Sequence, residues 1–114
     1  MSLDIILEAS TKENFYENMA YLNNDTEADI PFNERCQMRT IEVVKNDYEF
    51  LDEIAMVVGQ ADKDLDNGYY TLVEQEEWLA LTHTKLSEEA QLAIKKVLTE
   101  TDFENEIVTV YPWW

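Results

Sequence analysis

Thr40-Ile41-Glu42-Val43-Val44-Lys45-Asn46-Asp47-Tyr48-Glu49-Phe50-Leu51-Asp52-Glu53-Ile54-Ala55-Met56-Val57-Val58 is the stretch on which the fold turns. Its first part belongs to a segment, Cys36 to Val44, that is rich in β-formers and predicts a strand. Its second part changes period. Phe50, Leu51, Ile54, Ala55 and Val58, continued by Ala61, recur at helical spacing and share one face. Asn46 and Glu49 have the spacing of a capping box and predict where that helix begins.

The chain on either side repeats this alternation. Leu3, Ile5, Leu7 and Ala9 alternate with Asp4, Ile6 and Glu8, which reads as a strand. Ser10 and Glu13 again have capping-box spacing, ahead of a helical stripe of Phe15, Met19 and Leu22 with Tyr16 and Ala20 beside it. Asn23-Asn24 is expected to end that helix, and 25–34, with Pro31, reads as an acidic loop. Past the central helix, Asp62 to Gly68 predicts a turn with its bend at Asn67-Gly68. Tyr69 to Val73 has strand propensity, while Thr71 and Glu74 have capping-box spacing before Trp78, Leu79 and Leu81, so a short strand and then a helical turn are expected.

Ser87 opens a helix whose inner stripe is Ala90, Ala93, Ile94 and Val97. Its Glu88 and Glu89 suit the positive end of the helix dipole, and Lys95 and Lys96 lie toward the negative end. Ile107 to Tyr111 is read as the last strand, stopped by Pro112. The strands are few and mostly half-polar, which favours an α+β domain over a parallel α/β unit. The expected architecture is a single small domain over 1–114, with three to four short strands in one sheet and about three helices packed on it.

The charge narrows the function. The chain has 114 residues, 25 of them acidic and 8 basic, for a net charge of −17. Such a field repels nucleic acid and anionic membrane and attracts basic surfaces. An apolar share of 46% with 11% aromatic residues provides for a packed core and argues against disorder. Cys36 is the single cysteine, which rules out an internal disulfide, fits a reducing compartment and reads as a buried structural thiol. No secretory signal and no transmembrane run is expected, so the cytoplasm is the expected location. His83 is the lone histidine and is read as a surface or helix-end residue. The sequence has no nucleophile elbow, no phosphate-binding Gly-rich loop and no His-rich metal spacing, so no catalytic residue is assigned.

Three groups remain as candidate sites. Asp62-Lys63-Asp64-Leu65-Asp66-Asn67-Gly68 resembles an EF-hand loop in its Asp-x-Asp-x-Asp opening. It departs from that pattern by one residue, since Asn67 stands where the glycine belongs and Glu74 is thirteenth instead of twelfth. The resemblance implies Ca²⁺ held by Asp62, Asp64, Asp66 and Glu74. The second group is the acidic clusters, with Asp25, Glu27, Asp29, Asp62, Asp64, Asp66, Glu74, Glu76 and Glu77 as expected contacts for a basic partner. Carboxylates on a fixed scaffold can imitate nucleic-acid phosphates and speed association. The third is Tyr111-Pro112-Trp113-Trp114, whose aromatic rings either anchor a partner or close the core.

The leading expectation is an acidic inhibitor of the immunity, anti-defence or nucleic-acid-mimic type. It would act without a cofactor, through protein–protein interaction with a nuclease, toxin or other basic nucleic-acid-binding protein. The alternative is a calcium-binding protein built on 62–74.

Overall fold

The computed structural model describes residues 2–22 and 30–114. Eight-residue strand β1 (Asp4–Thr11) leads into a short helix, α1 (Lys12–Glu17), and a 3-10 turn at Met19–Tyr21. There follow α2 (Phe32–Arg35), β2 (Arg39–Lys45), α3 (Tyr48–Gly59), β3 (Thr71–Leu72), α4 (Gln75–Leu81), α5 (Glu88–Glu100) and β4 (Glu106–Trp113). The four strands form one antiparallel sheet in the order β2-β1-β4-β3. The α+β class is therefore as expected.

The sheet sorts its residues by parity. Ile5, Leu7 and Ala9 of β1 and Val108 and Val110 of β4 join the main core with Phe50, Ile54 and Val58 of α3, Trp78 and Leu81 of α4, and the Ala90, Ala93, Ile94 and Val97 stripe of α5. On the opposite face a smaller core gathers Phe15, Phe32, Cys36 and Ile107, with Met38, Tyr70 and Leu72 against it. The thiol of Cys36 is fully buried there. Because both faces of the central strands are covered, Glu8 and Ser10 are buried although they occupy the polar phase of β1.

One irregularity adjusts β2. Leu7 pairs with Glu42 but Glu8 pairs with Thr40, so Ile41 is an extra, bulged residue. Ile41 is buried in the main core, and the Glu42 carboxylate lies 3.7 Å from Lys96 Nζ of α5.

Helix starts differ from the spacing rule by one to three residues. The cap of α1 is Thr11, whose hydroxyl accepts from Asn14 N at 3.1 Å, instead of Ser10. Ser10 is turned inward and donates to Cys36 O at 2.6 Å. The cap of α3 is Asp47, not Asn46; Asn46 adopts φ 58° and its Oδ1 accepts from Leu3 N at 2.9 Å. The capping box before Trp78 pairs Glu74 with Glu77, not Thr71 with Glu74. Ser87 caps α5 as expected, and its hydroxyl also donates to Asp47 Oδ2 at 2.6 Å. The Asp47 carboxylate thus ties the start of α3 to the start of α5.

The predicted stripe of Phe15, Met19 and Leu22 is not one helix face. Phe15 is buried, whereas α1 stops at Glu17 and Met19 and Ala20 are exposed. Strand β2 starts at Arg39, since Phe32 to Arg35 is spent on a helical turn of the smaller core. Strand β4 runs through Pro112, which the sequence reading made its stop. Pro112 O accepts from Gly68 N at 2.8 Å, so both polar positions of Pro112 face the 68–70 loop and not β1. The missing N–H falls outside the β1–β4 ladder, where a proline is tolerated.

Candidate interaction surface

The 62–70 segment is built from the end of α3. Asp62 N donates to Gly59 O and Lys63 N to Val58 O, each at 3.1 Å, with Asp62 in the left-handed region at φ 59°. This is a Schellman-type stop, and Asp62 fills the position that glycine favours. Lys63 then turns inward. Its Nζ donates to Leu72 O at 2.7 Å and to Glu77 Oε1 at 2.6 Å. The same Glu77 oxygen accepts from Glu74 N at 2.8 Å and closes the capping box. Glu77 is thus committed to holding the loop, β3 and α4 together, and is not a free surface carboxylate.

Backbone contacts hold the rest of the loop. Asp64 O accepts from Thr71 Oγ1 at 3.0 Å, and Asp66 O accepts from Tyr69 N at 3.2 Å. Gly68, at φ 76°, supplies the third position of the resulting turn, as the Asn67-Gly68 pair predicts. The carboxylates of Asp62, Asp64 and Asp66 remain exposed, as do Glu74 and Glu76. Among the described residues, ion pairs form on Glu106, Asp4, Glu77 and Glu42 and on none of these five.

The loop meets the 111–114 segment. Asn67 Oδ1 accepts from Trp114 N at 2.9 Å, and Asn67 Nδ2 donates to Trp114 O at 3.3 Å. A Cβ at Gly68 would stand 3.4 Å from Trp113 Cζ3, in ordinary van der Waals contact, so the Trp113 ring lies beside the Gly68 backbone and it is the φ of 76° that favours glycine there. The segment is fixed at both residues, yet Trp113 remains 55% exposed and Trp114 41%. Of the two sequence readings for these tryptophans, closing the core is not what they do. Trp78 fills the core instead, with its indole N–H donating to Val73 O at 3.1 Å.

Behind the tryptophans an aromatic ladder crosses the smaller-core face of the sheet. It runs Phe15, Phe32, Tyr70, Tyr111, Trp113, with ring centroids 5.9, 5.2, 4.5 and 6.4 Å apart in turn. The Tyr111 and Trp113 rings are nearly parallel, 9° apart. The ladder is buried at Phe15 and opens to solvent at Trp113, beside Asn67 and Gly68.

Glu8 lies under the same ladder and was missed by the sequence reading. It is 4% exposed, and burial pushes its carboxyl above the ordinary value, against a hydrogen bond with Asn33 that lowers it. Burial, and next the Glu8 charge, push the Tyr70 phenol far up. Burial also raises the Cys36 thiol. The one sequence signal for Glu8 is Ile6, an apolar residue in the phase expected to face water.

The structure therefore brings the Asn67-Gly68 end of the loop, next to Asp66, against Tyr111, Trp113 and Trp114, while Asp62 ends α3 on the side where Lys63 bonds Glu77 of α4. It leaves Glu74 and Glu76 at the start of α4. Asp25, Glu27 and Asp29 lie outside the described residues. For the EF-hand-like reading, no three His, Cys, Asp or Glu side chains among the described residues gather so as to hold a metal ion. Asp62 is used as a helix stop and Glu74 as a helix start, which separates their roles. Among the described residues no helix is long and apolar enough to cross a membrane. No protein-family profile matches the chain, and neither the curated proteins nor the solved structures contain one detectably similar to it.

Proposed function

We propose that this protein is a binding protein, not an enzyme, and that it occupies the basic surface of a nucleic-acid-handling protein or toxin and blocks it. This is the immunity, anti-defence or nucleic-acid-mimic type of inhibitor, and it acts in the cytoplasm alongside such a partner. The observation that carries the reading is the junction of the 62–68 loop with Trp113 and Trp114. Asn67 and Trp114 are 47 residues apart in sequence yet mutually hydrogen-bonded, so the half-exposed tryptophans are held against a loop that carries exposed aspartates outside any ion pair among the described residues.

Each half of that junction supplies what the other lacks. Charge of −17 steers a basic partner from a distance but does not choose among basic partners. Half-exposed tryptophans on a hydrogen-bonded backbone offer the kind of aromatic anchor that dominates binding energy at interface centres. The loop-ordering part of the docking cost is reduced, because the backbone under the rings is already hydrogen-bonded.

The test is capture of the partner from the native cell, followed by kinetics against salt. Captured proteins are expected to be basic, with association slowing markedly between low and high salt. Neutralising Asp64 and Asp66 is expected to lower the on-rate. Replacing Trp113 and Trp114 by alanine is expected to raise the off-rate. Acidic or neutral partners bound with salt-indifferent affinity would refute the proposal.

A further inference from the structure

We infer that the exposed ring face at Trp113 receives an arginine side chain of the basic partner, in preference to a lysine. The inference rests on the reading above and narrows it from basic partners to arginine-bearing ones. Trp113 and Tyr111 present nearly parallel planes, 9° apart, at the open end of the ladder. Trp113 is 55% exposed, its ring lies beside Gly68, and Asn67 clamps the backbone of the next residue. The loop that touches it carries the exposed carboxylates of Asp64 and Asp66.

A guanidinium fits this arrangement on three counts. It is planar, so it stacks flat on a ring face. It is weakly hydrated, so it gives up less to leave water than an ammonium does. Its N–H groups lie in the plane and point outward from the stack, free to reach carboxylates of the adjoining 62–68 loop. An ammonium is compact, strongly hydrated and without a plane to match, and the ring offers it a weaker hold. The overall charge of −17 supplies the long-range attraction to both, so discrimination falls to the ring.

Two peptides of equal length and charge, one built on six arginines and one on six lysines, separate the possibilities. Binding is followed by calorimetry at near-physiological salt, and the Trp113 and Trp78 indole N–H signals are followed by NMR. The arginine peptide is expected to bind about two- to fivefold tighter, the margin of one exposed cation–π contact. It should shift the Trp113 signal and leave that of buried Trp78. Trp113→Leu, with its urea midpoint checked, should remove the preference, weakening the arginine peptide more than the lysine peptide. Should that variant not fold, the wild-type NMR shift and the Asp64→Asn, Asp66→Asn double variant decide, the latter weakening the arginine peptide more than the lysine one. Equal binding of both peptides with Trp113 unshifted overturns the arginine inference and leaves the basic-partner reading standing. Binding of neither peptide overturns both.

Discussion

Glu8 and Asp62 show how a single residue acquires a role that its type does not announce. Glu8 is a carboxylate enclosed between β1, the Asn33 side chain and the Tyr70 ring system. Its raised value means that the folded state holds the proton more tightly than the unfolded chain does. The stability contributed by the protonated carboxyl is complete below the ordinary carboxylate value and declines as pH rises through the raised one. Glu8→Gln removes that dependence. Urea unfolding from pH 4 to pH 8 should show the variant gaining on the wild type as pH rises; a constant difference would place Glu8 in water. Asp62 poses the backbone version of the question. It sits at φ 59°, where an L-residue is strained and glycine is not. Asp62→Gly should stabilise the domain by about 0.5–1 kcal/mol in urea unfolding. A loss of stability would show that the aspartate side chain does more there than end α3.

At the scale of elements, α3 has two sharply divided sides. Phe50, Ile54 and Val58 are buried, while Met56 is 64% exposed. Ile54→Asp should abolish cooperative unfolding, because it puts an unpaired charge into the main core at a cost of about 4 kcal/mol or more. Met56→Asp should change stability by no more than about 0.5 kcal/mol. A reversed ranking in thermal and urea melts would mean that the helix is rotated. Helix starts obey a subtler rule. Asp47 caps α3 and also accepts from Ser87, the cap of α5. Asp47→Ala should therefore cost more than the roughly 1 kcal/mol of an isolated cap, measured against Ser87→Ala and the double variant. Capping-box spacing in the sequence predicts that a helix begins near Asn46. It does not say which of two adjacent polar residues caps, since Asn46 is drawn off by its bond to Leu3 of the neighbouring chain segment.

At the scale of the whole molecule, the charge works against the compact state. A field of −17 repels itself, so added NaCl should raise the melting temperature, and KCl should match it. Ca²⁺ and Mg²⁺ at equal concentration should act alike. A rise specific to Ca²⁺, lost in the Asp62→Asn, Asp64→Asn double variant, would reinstate a calcium site at 62–74. Charge, apolar period and β-propensity are properties of residues and their near neighbours, and they determined the acidic character, the α+β class, the inner faces of α3 and α5 and the turn at Asn67-Gly68. The rest depends on what comes together from far along the chain. Whether Pro112 stops a strand depends on which neighbour its missing N–H would have faced. Whether Glu8 meets water depends on Phe32 and Tyr70 arriving over the second face of the sheet. Tryptophans are apolar enough to be buried or to anchor a partner, and the 111–114 sequence permits both. Only the closure of β4 against β1, with Asn67 gripping Trp114, decides that their rings stay in solvent beside the acidic loop.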